Sequence, residues 1–223
     1  MRFLFDENAS EPFVTIKGEN FKYLIKVLRH NVGDTIYLRS HKNKELLCSY
    51  TISSIEPRSV SLELQETKLY KVEAKKDFTL GWCVIDPKSI EKVLPSLNEI
   101  GVKKICFIYC DRSQKNFKLD FKRFERILYA SMQQCGRTHL MEFETYKTLE
   151  LFLADFPDTK VLDFCDIVLE DTTQIDTALI GCEGGFSLVE KESFNAKNVF
   201  RFDTPMILRS ESAAVSIASK VLF

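Results

Sequence analysis

Apolar residues alternate with polar ones, or gather in short β-branched runs, at Phe13–Ile16, Thr35–Leu38, Leu46–Ile52 and Val60–Leu64, a period of two that predicts strands. Val32-Gly33-Asp34 and Glu56-Pro57-Arg58 punctuate them as turns. Between the first two strands, Phe21, Leu24, Ile25 and Leu28 share one face at helical spacing and predict a helix over Glu19–Arg29. Together these elements predict a small β-barrel-like module. Glu66–Asp77, rich in Lys and Glu and poor in apolar residues, reads as the linker after it.

Beyond the linker the pattern changes to strands alternating with helices. Phe78–Ile85 is the continuous apolar run of a buried strand. Asp86-Pro87 opens a helix whose buried stripe is Ile90, Val93, Leu94, Leu97 and Ile100, and Gly101 ends it. Pro95 inside that helix predicts a kink. Strands are expected at Ile105–Tyr109, Val161–Phe164, Ala178–Ile180 and Val199–Phe202. Helices are expected at about Phe121–Cys135 and Leu149–Phe156, just after Ser187, and from about Ser210 to the end. Such alternation implies an α/β domain with a largely parallel sheet. The expected division is 1–70 and 71–223.

Composition narrows the class. Hydrophobic residues at 45% and charged residues at 28% are ordinary for a soluble globular chain, so neither a disordered nor a membrane class is indicated. The segment MRFLFDENAS lacks the apolar core of a secretory signal, and a cytoplasmic protein is expected. Seven dispersed cysteines, an odd number, predict reduced thiols, and with three histidines and one close Cys pair (Cys106, Cys110) no metal site is expected. Charge is uneven: residues 1–76 sum to +3, 77–145 to +2 and 146–223 to −6. A basic front suits a polyanion, although a solvated surface explains the same distribution equally well.

Four segments carry candidate chemistry. Ile180-Gly181-Cys182-Glu183-Gly184-Gly185-Phe186-Ser187 follows a predicted strand, and its three glycines allow backbone to approach a ligand. It is neither a dinucleotide fingerprint nor a phosphate loop, and as a bare pattern a tight turn explains it equally. Ser187 and Glu190 predict a capping box for the next helix. Pro205-Met206-Ile207-Leu208-Arg209-Ser210-Glu211-Ser212 ends an apolar run at a helix start, where Ser210 can cap and Glu211 suits the dipole. A cation at that positive helix end is better motivated as a ligand clamp, which singles out Arg209. Asp111-Arg112-Ser113-Gln114-Lys115 follows a strand, and Gln133-Gln134-Cys135-Gly136-Arg137-Thr138 ends a helix. The basic residues Lys22, Lys26, Arg29, Arg112, Lys115 and Arg137 are candidate phosphate contacts.

These segments, with Asn98-Glu99-Ile100-Gly101-Val102 and with Val27-Leu28-Arg29 before Val32-Gly33-Asp34, stand in an order that resembles the ribosomal RNA small subunit methyltransferase E family over nearly the whole chain. That family comprises uridine-N3 methyltransferases of 16S rRNA in the SPOUT superfamily. Cys182 stands where the family usually has Pro, Ser210 and Ser212 where it has Thr, and Thr204 where Gly is common.

The resemblance implies an N-terminal PUA-like β-barrel for RNA (1–70) and a C-terminal SPOUT-type α/β domain (71–223) with a trefoil knot and a mainly parallel sheet. It also implies a homodimer acting on 16S rRNA of the small ribosomal subunit, with S-adenosyl-L-methionine as cofactor. The cofactor would meet Ile180, Gly181, Gly184, Gly185, Ile207, Leu208, Ser210 and Ala213. Arg209 would stabilise the uracil anion and Glu211 accept its proton, with Glu183 as the reserve base. The stripe Ala213, Ala214, Ile217, Ala218, Val221 and Leu222 is broader than packing on one neighbour requires and predicts that the last helix also serves the dimer. A SPOUT enzyme acting on ribose 2′-OH of transfer RNA and a non-catalytic RNA-binding assembly factor stay open as alternatives.

Overall fold

The computed structural model of the protein describes residues 2–114, 116, 118–170 and 173–223. The chain divides into two compact units, Met1–Glu73 with Met132–His139, and Ala74–Ser131 with Leu140–Phe223.

In the first unit, β1 (Leu4–Phe5), β2 (Phe13–Lys17), β3 (Thr35–Arg39), β4 (Leu46–Glu56) and β5 (Ser59–Leu69) form one sheet in the order β1-β3-β4-β5-β2. All pairs are antiparallel except β1 with β3. Alternate residues fill its core, among them Ile36, Leu38, Tyr50, Ile52, Val60 and Leu62. The buried Tyr50 hydroxyl donates to the carbonyl of Glu11 at 2.8 Å and accepts from Ser10 N–H at 3.0 Å, so the phenol is not left unpaired.

Three expectations change here. The Lys/Glu-rich segment from Glu66 is not linker as far as Leu69: Glu66, Thr67, Lys68 and Leu69 pair with Ser49, Cys48, Leu47 and Leu46 in the long β4–β5 hairpin. Its backbone is hydrogen-bonded while its side chains are mostly solvated, so composition alone hides the strand. The single helix expected over Glu19–Arg29 is a short α1 (Gly18–Phe21) running directly into a π-helix (Lys22–Val27), and Arg29 takes a left-handed φ of 60°. Finally, residues 132–139 belong to the first unit. Gln133 accepts Phe3 N–H on its carbonyl at 3.0 Å and Phe5 N–H on Oε1 at 3.1 Å, and Thr138 N–H donates to the Val72 carbonyl at 3.0 Å. Such distant polar pairings leave no trace in periodicity.

The second unit is a six-stranded sheet, every pair parallel, in the order β11 (Val199–Phe200), β9 (Lys160–Leu162), β10 (Thr177–Ile180), β6 (Thr79–Cys83), β7 (Lys104–Ile108), β8 (Glu142–Tyr146). Edge strand β8, Glu-Phe-Glu-Thr-Tyr, was not expected, because only its last residue is fully buried. Helix α2 (Pro87–Ile100) begins as its sequence predicts: the Asp86 side chain accepts from Ser89 N–H at 3.2 Å, and Gly101 closes the helix at φ 110°. It continues past Pro95 as one element. The remaining helices are α3 (Phe121–Cys135), α4 (Leu149–Asp155), α5 (Leu188–Glu192) and α6 (Ser210–Leu222). Phe107, Phe121, Phe124 and Phe143 stack into an aromatic cluster with ring centroids 5.7–6.1 Å apart.

Helix α6 corrects the reading of its stripe. Ala214 and Ala218 are fully buried and Ile217 and Val221 nearly so, within the unit's own core and against α2. Ala213, Ala214, Ile217, Ala218 and Val221 are thus covered by this chain itself, and of the expected stripe half-buried Leu222 is left partly open. No helix among the described residues is long and apolar enough to cross a membrane.

Candidate active site

At the carboxyl ends of parallel strands, backbone N–H groups and loop side chains face open space, which is where such sheets place ligands. Here three loops of the second unit converge. The loop after β10 carries Gly181 to Ser187, the segment after β7 carries Cys110 to Ser113, and the stretch 201–209 leads into α6.

The glycine loop is held by its neighbours. Ser187 and Glu190 form the expected capping box, with Glu190 N–H donating to Ser187 Oγ at 3.2 Å and Ser187 N–H to Glu190 Oε2 at 2.8 Å. Glu190 is buried, and its other oxygen accepts Asp111 N–H at 2.8 Å. Ser187 Oγ donates to Asp111 Oδ2 at 2.6 Å, and the Arg112 guanidinium donates to the Gly184 carbonyl at 2.6 Å. Asp111-Arg112 thus braces the loop from outside, a role its sequence did not announce. Arg112 remains exposed.

The start of α6 is tied down differently from expectation. Ser210 is not the cap, since Arg209 holds that position without a side-chain cap bond. Instead the buried Ser210 hydroxyl accepts from Trp82 Nε1 at 2.8 Å and donates to the Gly181 carbonyl at 2.6 Å. One hydroxyl therefore links β6, the end of β10 and α6.

Between the glycine loop, the end of β9 and the stretch 201–209 lies a cavity of about 340 Å³, a size suited to a small ligand. Of the residues predicted to meet a cofactor, Ile180, Gly181, Gly185, Ile207, Leu208, Ser210 and Ala213 line it. Gly184 does not: a Cβ there would lie 3.4 Å from the Arg112 side chain, so its smallness serves the brace rather than the cavity. Gly185 takes φ 65°, a left-handed conformation that explains glycine there without a ligand. Arg209 and Glu183 share the cavity wall, whereas Glu211 is half-buried in the first turn of α6 and lies outside the lining. Asp163, Arg201 and Phe202 also line it and were missed. The available signal was their place, directly after short apolar runs that end strands. Asp163 is paired with Lys191 at 2.7 Å, and Arg201 donates to the Phe202 carbonyl at 3.0 Å.

Cys182 also lines the cavity, with its sulfur 3.9 Å from that of Cys110. Side-chain hydrogen bonding with Cys182, Cys83 and Ser113 lowers the Cys110 pKa against the opposing effect of burial. The same Cys110 contact, with burial, pushes Cys182 up.

The candidate phosphate contacts fall in both units. Lys22, Lys26 and Arg29 are exposed in the first, with Lys22 Nζ 2.6 Å from Glu19. Arg137 is buried, and burial lowers its pKa, which corrects its reading as a surface cation. Lys115 lies outside the described residues.

Residues 72–222 match the RNA methyltransferase domain family, which makes this a methyltransferase domain. More narrowly, the chain belongs to the ribosomal RNA small subunit methyltransferase E family, whose enzymes depend on S-adenosylmethionine. It is 37% identical to the Helicobacter pylori protein named ribosomal RNA small subunit methyltransferase E, over 98% of each chain. Among solved structures, the fold is shared with a putative methyltransferase from Legionella pneumophila in complex with S-adenosylmethionine (TM-score 0.74, 19% identity, 99% of this chain and 97% of that one). It is also shared with a ribosomal RNA small subunit methyltransferase E from Neisseria gonorrhoeae bound to the same cofactor (TM-score 0.71, 16% identity, 98% and 95%).

Proposed function

We propose that the protein methylates N3 of a specific uridine in 16S ribosomal RNA of the small subunit, as a cytoplasmic homodimer with S-adenosylmethionine held in the loop cavity. The observation that carries this is the meeting of Gly181, Ile207, Leu208, Arg209 and Glu183 around one cavity, in a chain 37% identical over 98% of its length to a protein named as a small-subunit ribosomal RNA methyltransferase.

The residues present fit the cofactor. Ile180, Ile207 and Leu208 offer apolar surface for adenine, and Gly181 leaves its backbone open to close approach. Arg201, Arg209 and Glu183 supply both signs of charge for a zwitterionic amino-acid moiety. When bound, S-adenosylmethionine supplies an electrophilic methyl group.

N3 of uracil carries a proton and no free lone pair, so deprotonation must precede or accompany transfer. A carboxylate at the cavity accepts that proton, and Arg209 stabilises the charge left on the ring. Position in the lining favours Glu183 over Glu211 as acceptor. Lys22, Lys26, Arg29, Arg112 and Lys115 hold phosphates and so orient the RNA.

We further propose that the first unit is a PUA-like barrel and that the second carries a trefoil knot. The knot is supported by the return of the chain after β11, with Ser210 bonded to both Gly181 and Trp82 in the centre of the sheet.

Mass spectrometry of rRNA nucleosides from a strain lacking the protein tests the reading directly. Loss of 3-methyluridine, restored by the wild type and not by Arg209→Ala, is expected. An unchanged 3-methyluridine level refutes the assigned position.

A further inference from the structure

The first unit holds a second cavity, of about 400 Å³, that the methyl-transfer site does not use. Its wall includes Tyr23, Leu24 and Leu28 from the π-helical stretch, with His30, Tyr37 and Gln133. Two conformational costs border it. The π-helix closes with the i to i−5 bond from Leu28 N–H to the Tyr23 carbonyl at 2.9 Å, and beyond it His30 N–H reaches back to the Leu24 carbonyl at 3.2 Å. Arg29, with a full side chain, then takes φ 60°. π-Helical turns and side-chain-bearing residues in the left-handed region both recur at functional sites.

The polar groups at this cavity are already oriented. His30 Nδ1 lies 3.0 Å from Asp34 Oδ2, and the same oxygen accepts Asn31 N–H at 2.9 Å. The carboxylate takes the proton-bearing nitrogen, which in the neutral ring leaves Nε2 as an acceptor. Gln133 uses its Oε1 on Phe5 N–H at 3.1 Å, so its amide NH₂ is left as a donor. Tyr23 is 39% exposed, which leaves ring surface open for stacking. Exposed Lys22, Lys26 and Arg29 belong to the same helical stretch and turn. A phosphate alone would call for the cations but not for the rings. An apolar ligand would make no use of His30 Nε2 or the Gln133 NH₂, the polar atoms of these two side chains not already engaged by Asp34 and Phe5.

We propose that this cavity receives an unstacked nucleobase of single-stranded RNA, read on its edge by His30 and Gln133 and stacked on Tyr23. The proposal rests on the reading that this chain acts on RNA, and assigns the first unit a base-recognising pocket beside its phosphate contacts. Recognition of splayed-out bases by aromatic faces and side-chain donors and acceptors is the common mode for RNA, since duplex edges are poorly accessible.

The test uses the full chain, a fluorescent single-stranded RNA oligonucleotide and a duplex of the same sequence. Tyr23→Ala and His30→Ala should each weaken single-strand binding by about tenfold or more, as loss of a stacked base does. Duplex affinity and calorimetric S-adenosylmethionine affinity should not change. Uridine 5′-monophosphate should shift the His30 imidazole resonances of the wild type and not those of Tyr23→Ala. Single-strand affinity unchanged in both folded variants overturns the pocket, as does an equal loss for duplex and single strand, which would indicate phosphate contact only. Absence of methylation with Tyr23-dependent single-strand binding intact would overturn the catalytic reading and leave the pocket standing.

Discussion

Ser210 and Gly181 are joined by a 2.6 Å hydrogen bond from the serine hydroxyl to the glycine carbonyl, while Trp82 Nε1 donates to the same hydroxyl at 2.8 Å. The bond fixes the glycine loop to the first turn of α6, so that the cavity between them has a defined width. Removing the hydroxyl leaves a buried indole N–H and a carbonyl without partners. Ser210→Ala should therefore lose about 1–3 kcal/mol of stability and weaken S-adenosylmethionine binding. Calorimetric melting and titration measure the two effects. Ser210→Thr, which keeps the hydroxyl, should preserve binding, and an Ala variant as stable as the wild type would show that the link carries no load.

The glycines of the loop should respond unequally. A Cβ at Gly181 would lie 3.3 Å from both Gly185 Cα and the Phe186 ring, in the cavity wall itself. Gly181→Val is expected to weaken S-adenosylmethionine binding more than tenfold, ~1.4 kcal/mol or greater. At Gly184 the neighbour is Arg112, so Gly184→Ala should disturb the bond to the Gly184 carbonyl and leave affinity nearly unchanged. Equal losses at both positions would place Gly184 against the ligand after all.

Much of this arrangement was legible before folding, and the limits have physical causes. Asp86-Pro87 with Gly101, and Ser187 with Glu190, signal helix ends locally, because caps use neighbours three or four residues away. The glycine loop could be located by its place after a strand. What stayed hidden depends on partners far along the chain. Ser210 looks like a cap, yet its bonds run to residues 29 and 128 positions away. Gly184 looks like the other glycines, yet its neighbour is Arg112, 72 positions away. The breadth of the α6 stripe suggested a second subunit, because periodicity counts buried faces without saying who buries them.

Cys182 provides a chemical reporter of the cavity. Its pKa is raised, so its thiolate fraction keeps growing with pH above the ordinary thiol range of about 8.5, where an unshifted thiol levels off. Alkylation of Cys182 by iodoacetamide should accordingly be slow at neutral pH and still rising in alkaline buffer. Because Cys182 lines the cavity, S-adenosylmethionine should protect it, while half-buried Cys135 in the other unit should label at the same rate with or without ligand. Peptide mass spectrometry separates the two sites. Protection of Cys135 and not of Cys182 would put the cofactor elsewhere.

The last helix gives the sharpest test of how the second unit is built. Ala218 is fully buried, Ala214 likewise, and both sit in the core that α6 shares with α2. A carboxylate introduced there has no cation in its surroundings on α6 other than Lys220, which is exposed. The charge must be desolvated without a partner or neutralised by protonation, and an uncompensated buried charge costs about 3–5 kcal/mol. That is a large part of the total stability of a domain, commonly about 5–15 kcal/mol. Ala218→Glu is therefore expected to lose the fold of the second unit near physiological temperature, with circular dichroism and sedimentation reporting unfolded or aggregated chain and no folded monomer. Ile207→Glu, at a position 79% exposed, should by contrast leave the melting temperature close to that of the wild type. A folded, monomeric Ala218→Glu variant would mean that the stripe faces a partner subunit, and would overturn the assignment of this helix to its own core.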